Sequence, residues 1–361
     1  MAYTTIDDPS VYFQTALYTG NNSNRSITND GNSDLQPDWI WGKSRSNSDS
    51  PTATDSSRGN TKVLTPSATE AEGTASDYVT AFNSDGFSLG TNNGMNKNTL
   101  TYVAWQWKAN GGTTTTNDAS STSVGTIDSV YQANTTAGFS IVTWTGTGSA
   151  GTVAHGLGAV PQLIITKNRT DNSTNWQIYH GFNTSAPETE VIYFTTGATQ
   201  DYDGFMSDTA PTSTVFSAGG DGSMSGTSGK NIVAYCFAPI QGYSKFGSYT
   251  ANNSTDGPFV YLGFKPAWIM IRNTSAAADW PIADTKREVG NPFAQEILFA
   301  NVNDAETSYA NGVDFLSNGF KVRSTGSNGV FNANNTSHNF IYMAFAESPF
   351  VSSEGVPTTA R

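Results

Sequence analysis

The chain has 361 residues, 18 basic and 30 acidic, for a net charge of −12. Charged residues make up only 13%, against about 25% in an average domain. Aromatics reach 12%, which excludes the aromatic-poor, highly charged composition of a disordered chain. Ser, Thr and Asn supply a third of the residues, so the polar surface is built from hydroxyls and amides.

The same counts remove several function classes. An acidic chain without a basic block is unsuited to nucleic acid, whose phosphates need Lys and Arg. No apolar run approaches the 18 residues of a membrane span. The start, Met1-Ala2-Tyr3-Thr4-Thr5-Ile6-Asp7-Asp8, shows neither the basic nor the apolar region of a secretion signal. The single cysteine, Cys236, excludes an intrachain disulfide and any multi-Cys metal site.

In chain order, five landmarks recur three times. An aromatic strand is expected at Phe13–Tyr18, Phe139–Thr145 and Phe246–Thr250. A proline and an apolar run follow: Pro37 with Trp39-Ile40-Trp41, Pro161 with Leu163-Ile164-Ile165, and Pro266 with Trp268-Ile269-Met270-Ile271. Next come Lys43-Ser44-Arg45, Lys167-Asn168-Arg169 and Arg272-Asn273-Thr274, then strands centred on Phe87, Phe216 and Phe320. Each copy closes on a strand around Ala104, Ala234 or Ala344. The opening Phe precedes the Pro by 24, 22 and 20 residues, and the Pro precedes the closing Ala by 67, 73 and 78. Self-similarity of this kind defines a repeat architecture.

Short Val-, Ile-, Trp- and Phe-rich runs with Asp85-Gly86 and Asn318-Gly319 turns predict strands. Ala294–Ala300 is ambiguous and is read as strand. The expectation is an all-β chain of three tandem antiparallel β-sandwich (jelly-roll-like) domains. The boundaries are an N-terminal arm 1–12, repeats 13–109, 138–240 and 241–350, a Ser/Thr/Gly-rich linker 110–137, and a loose polar tail 351–361. The prolines are placed at strand starts, where a missing N–H is harmless. The three domains are expected to fold independently, so that a fragment lacking 1–109 stays folded.

Reactive constellations are near-misses. Gly229-Lys230-Asn231 lacks the upstream Gly and the Ser/Thr of a phosphate-binding loop. Asp201-Tyr202-Asp203-Gly204 lacks the remaining calcium ligands, and Gly222-Ser223-Met224-Ser225-Gly226 has Met where a nucleophile belongs. Glu188 and Glu190 would share a strand face as a glycosidase pair, but the other copies lack them. His155 is read as bonding a backbone group in a glycine turn, and Cys236 as an inert core thiol. Trp176 and Trp280, 15 and 14 residues after their prolines, are assigned first to the core. If exposed, they are the candidate ligand-binding aromatics, able to stack on sugar rings. No catalytic residue, metal or cofactor is assigned.

The motifs His155-Gly-Leu-Gly…Pro161-Gln-Leu-Ile-Ile-Thr-Lys-Asn-Arg, Ser84-Asp-Gly-Phe-Ser-Leu-Gly, Tyr102-Val-Ala-Trp-Gln-Trp-Lys and Ser244-Lys-Phe-Gly-Ser-Tyr carry a resemblance. Over residues 10–350 the chain resembles a repeat-domain family of phage virion proteins of the tail and tail-fibre type, common in marine and cyanobacterial phages. The resemblance implies a non-enzymatic virion protein, assembled in the host cytoplasm. Its implied partners are other virion proteins, host-surface glycan and further copies of itself as a homo-oligomer. A capsid decoration or head-fibre protein is the alternative, and a surface-polysaccharide depolymerase a remoter one. Copy one departs most, lacking the His-Gly-Leu-Gly turn and any match to Trp176 and Trp280.

Overall fold

The computed structural model describes residues 3–288, 291, 294–325 and 330–358. Within them the protein is all-β, built from antiparallel sheets packed face to face. Each repeat forms one four-stranded unit in the same strand order. In the first, the opening strand Phe13–Thr19 pairs with the closing strand Thr101–Trp107, which pairs with the proline strand Trp39–Ser44 and then with Thr52–Asp55. The second repeats this with Phe139–Thr145, Asn231–Phe237, Leu163–Asn168 and Gln177–His180. The third uses Ser244–Thr250, Asn339–Pro349, Phe264–Asn273 and Pro281–Asp284.

The registers coincide, for Trp39 faces Trp107, Leu163 faces Phe237 and Trp268 faces Phe345. One landmark is displaced by two residues: Ser244, not Phe246, stands opposite Phe345 as Phe13 stands opposite Trp107. A two-residue slip keeps every side chain on its face, so the pattern hid it. Pro37 and Pro161 precede their strands by two residues. Pro266 instead lies inside its strand, at a bulge between Lys265 and Trp268, where no ladder bond is required of it.

Strand alternation gives each unit two buried faces. One packs on a small sheet that carries the Phe landmark: Arg25–Ile27 with Phe87–Leu89, Gly151–Ala154 with Val215–Ala218, and Phe259–Tyr261 with Gly319–Val322. In the first unit Ile40, Tyr102 and Ala104 meet Ile27, Phe87 and Leu89 there. Gly86, at φ +88°, turns the hairpin into Phe87, and a Cβ on it would lie 2.0 Å from Ile27 O, so only glycine fits.

The other faces all converge. Trp39, Trp41, Trp105 and Trp107, then Phe139, Leu163, Ile165, Trp176, Tyr235 and Phe237, then Trp268, Met270, Trp280, Met343 and Phe345 form one continuous core. Trp39 stacks on Tyr235 at 4.2 Å between the first and second units, and Phe13 on Phe345 at 5.2 Å between the first and third. The expectation of independent domains is therefore corrected. Both sheet faces are apolar, and a four-stranded sheet with two apolar faces needs a partner on each.

Two segment assignments also change, the linker and the tail. Residues 110–137 are no loose linker: Thr115–Asn117 and Ser129–Asn134 extend the second unit's sheet beyond its opening strand. The turn leading into them is held by the buried Asp38 carboxylate, which accepts from the backbone N–H of Ala109, Gly111 and Gly112. The N-terminal arm lies on the third unit, with Tyr3 donating to Gly263 O and Thr4 Oγ1 to Gln241 O. The tail is tied to that arm, since Asp7 accepts from Ser353. Residues 1–2 of the arm and 359–361 of the tail lie outside the described residues. The segment Ala294–Phe299 is strand, as read.

Candidate functional site

The charged side chains of the basic landmark sit where the units meet, and they run in one rotational sense. Lys43 Nζ donates to Val302 O of the third unit, Lys167 Nζ to Thr69 O of the first, and Arg272 Nη2 to Gly197 O of the second. Burial pulls Lys43 and Lys167 down to about 8 and Arg272 to about 10. Each cation reaches an acceptor on its neighbour, so none is positioned as a nucleophile.

Two of the three interfaces add a buried ion network. Between the second and first units, Tyr235 Oη donates to Asp55 Oδ2 at 2.7 Å and Arg169 chelates Glu72 at 2.7 and 2.9 Å. Arg58, fully buried, binds both Asp55 and Glu72. Between the first and third units, Trp105 Nε1 donates to Asp284 Oδ2 at 3.0 Å, Arg45 chelates Glu306, and buried Arg287 bridges Asp284 and Glu306. Although burial alone would raise it, the bonds from Arg169 and Arg58 hold Glu72 below the usual carboxylate range. The third interface keeps none of this. His180 stands where Asp55 and Asp284 stand, Asn183 replaces the bridging Arg and Thr274 the outer Arg. His180 Nδ1 accepts from Phe182 N, so Nε2 carries the proton and donates to Tyr342 O at 3.1 Å. Burial pushes this ring down to about 4, which leaves it neutral.

Trp176 and Trp280 belong to the same scheme. Both are 2% exposed, and they donate across interfaces from Nε1 to Thr65 O and Tyr193 O, at 2.9 and 3.0 Å. Their conditional role as sugar-stacking platforms is corrected, because neither ring offers a face to solvent. His155 is buried as read, with Nδ1 accepting from Leu157 N and Nε2 donating to Thr212 O. Cys236 is buried in the second unit's local core, and burial raises its thiol well above the ordinary range. Glu188 lies in a 3-10 turn, Pro187–Thr189, while Glu190 begins a strand, so the two do not share a strand face. Among the described residues no group of three or more His, Cys, Asp or Glu is arranged for a metal ion. No helix among them is long and apolar enough to cross a membrane.

One concavity lies in the third unit and was not singled out by sequence reasoning. A cleft of about 470 Å³ opens between the loop 330–338 and the end of the sheet, lined by Asn273, Asp279, Pro281, Phe299, Tyr309 and His338, with Ala276–Ala278 and Ala333–Asn335 at its rim. That volume falls within the range of small-molecule sites, about 300–1,000 Å³. Phe299 and Tyr309 meet edge to face at 6.1 Å. Asp279 Oδ1 accepts from Asn301 Nδ2, and Asn273 Nδ2 donates to His338 Nδ1, leaving Nε2 as that ring's donor. A broader groove of about 710 Å³ in the second unit is lined mainly by Thr, Ser and backbone, including Thr116, Thr143, Thr145 and Asn231.

With this geometry in place, the chain belongs to a family described as a domain of unknown function (DUF7483), whose match runs over residues 8–349. The match covers all three units together, which accords with their single shared core. No curated protein matches the chain.

Proposed function

We propose that the protein is a structural component of a phage virion, a tail or tail-fibre part that presents its three β-units to glycans of the host surface. The observation that carries the reading is where the reactive side chains go. The lysines and arginines of the basic landmark, with Glu72, Glu306 and His180, are engaged in joining the units to one another, and His155 and Lys230 are bonded within the second unit. What faces outward is a hydroxyl- and amide-rich exterior with a net charge of −12, suited to hydrogen-bonding sugars and to avoiding nucleic acid. A repeated body with one shared core fits the virion-protein resemblance of its motifs. Because one chain already places three equivalent units round a common core, a threefold tip does not require trimerisation.

The test is location. Mass spectrometry of gradient-purified particles is expected to find the chain at stoichiometric level, and antibody labelling is expected to mark the tail. Label on the head shell would transfer the protein to the decoration or head-fibre class. Absence from particles would end the virion reading.

A further inference from the structure

The three units are alike in fold, and among the described residues the third shows a cleft where its pre-closing loop meets the sheet. In the second unit, Asn168 and Gln177 occupy the places of Asn273 and Pro281. There the chain's own loop fills the space: Asn168 Nδ2 donates to Gly222 O at 3.0 Å and Gln177 Nε2 to Asp221 Oδ2 at 3.3 Å. In the third unit Pro281 has no donor to offer such a loop, and Asn273 meets the loop only at its end, through His338. The loop 330–338 stands back and the cleft of about 470 Å³ results.

Its lining has two halves. Phe299, Tyr309, Pro281 and the run Ala276–Ala278 form an apolar wall, and the Tyr309 ring is only partly buried. The lining also carries hydrogen-bonding groups: the exposed carboxamides of Asn334 and Asn335, of which Asn335 Oδ1 accepts from Ser337, together with His338 and Asp279. Asp279 Oδ2 has no protein donor among the described residues. A pyranose presents the complement, an apolar C–H face and an edge of hydroxyls that each donate and accept. An acidic sugar is disfavoured, since Asp279 lines the cleft and the chain carries a net −12.

Resting on the glycan-presenting reading above, we propose that this cleft is a saccharide subsite that takes one neutral pyranose, stacked on Tyr309 and bonded through its hydroxyls to Asp279, Asn334 and His338. The probes are the methyl glycosides of glucose, galactose, mannose and N-acetylglucosamine, with methyl glucuronide as the anionic arm, read by saturation-transfer NMR on the full chain. At least one neutral glycoside is expected to bind in the millimolar range. Its affinity should fall at least tenfold in Tyr309→Ala and in Asn334→Ala, the second being a rim substitution that keeps the melting temperature. Thr143→Ala, in the second unit's groove, should leave binding unchanged. The proposal is overturned if no neutral glycoside binds, if binding survives both cleft variants, or if the glucuronide binds as well as its neutral parent. Particles that contain the chain when no glycoside binds would remove the subsite and leave the virion role. A binding chain absent from particles would do the reverse.

Discussion

Trp105→Ala separates a shared core from three separate ones. Trp105 is fully buried, meets Trp41 at 6.2 Å and Trp268 at 6.3 Å, lies under the Arg287 guanidinium at 5.7 Å, and donates to Asp284. Truncating a buried Trp costs about 3–5 kcal/mol. How that cost appears in a melt depends on what melts together. At about 2.1 cal/mol/K per residue, the 361-residue chain unfolding as one unit has an unfolding entropy of about 0.76 kcal/mol/K. A loss of about 4 kcal/mol then lowers its midpoint by about 5 °C. A self-contained unit of about 100 residues has an entropy of about 0.2 kcal/mol/K, and the same loss lowers its own midpoint by about 20 °C. Differential scanning calorimetry distinguishes the two outcomes. The shared core predicts one transition that moves as a whole, with calorimetric and van't Hoff enthalpies in agreement. A melt in which about a third of the enthalpy drops away by some 20 °C while the rest stays in place would refute the shared core. For the same reason, the fragment lacking residues 1–109 is expected to aggregate, because it bares the faces that Trp39, Trp41, Trp105 and Trp107 cover.

The polar atoms of the interfaces give three more tests. Trp41 Nε1 is buried without a hydrogen-bond partner among the described residues, whereas Trp105 Nε1 is bonded to Asp284. Trp105→Phe should therefore cost about 1.5–3 kcal/mol more than Trp41→Phe in urea titrations, the range for a hydrogen bond to a charged group, and equal costs would contradict the assignment. Arg272 is buried with Nε and Nη1 unpartnered, while Arg58 is bound by two carboxylates. Arg58→Met should cost about 3–5 kcal/mol by stranding Asp55, and Arg272→Met should cost nothing or stabilise; similar losses would show that Arg272 is compensated after all. His180 and His155 fall from about 6.5 unfolded to about 4 folded, so the unfolded chain binds more protons and stability declines as pH drops from 6.5 towards 4. Each contributes on the order of 3 kcal/mol across that window. His180→Gln should flatten the dependence of the midpoint on pH there, and an unchanged slope would mean that the ring is charged in the folded chain. Glu72 titrates the other way, with its folded value depressed. The stability it adds is present above about pH 4.3 and lost as pH falls through the folded value. Glu72→Gln should remove that contribution, seen as a smaller fall of the midpoint below pH 4 than in the unaltered chain.

What the sequence made legible follows from strand periodicity. The repeat, its order of landmarks and its all-β character were readable because a two-residue alternation survives insertions in loops. Alternation also carried a clue to the shared core. In Tyr102-Val103-Ala104-Trp105-Gln106-Trp107, Val103, Trp105 and Trp107 occupy one parity while Tyr102 and Ala104 put apolar surface on the other, so both faces ask for burial. A sandwich satisfies only one. Reading the Trp parity of all three copies together would have pointed to a common axis, and it would have placed Trp176 and Trp280 inside it. The segment 110–137 misled through composition, since Thr-rich strands at a sheet edge look like linker. The cleft in the third unit was not readable at all. It depends on how far a loop stands from the sheet, and Asn273 and Asn168 are the same residue type in the same register with opposite outcomes.

That pairing bears on how the triplet works. Two interfaces are locked by carboxylates and guanidinium groups, and the one joining the second and third units is held by a neutral His180, Arg272 and one indole-to-carbonyl bond. Charge networks are directional and penalise misfit, because a displaced partner strands a buried ion. An interface of apolar contacts and single hydrogen bonds tolerates small shifts at lower cost. The open cleft belongs to the unit beside that tolerant seam. Substitutions at the seam, such as Trp280→Phe, which removes only the bond to Tyr193 O, should therefore alter protection of the 276–279 and 330–338 backbone in hydrogen exchange more than the loss of the Trp176 bond to Thr65 alters the second unit. Equal protection changes on both sides would show the three seams to be mechanically equivalent despite their chemistry.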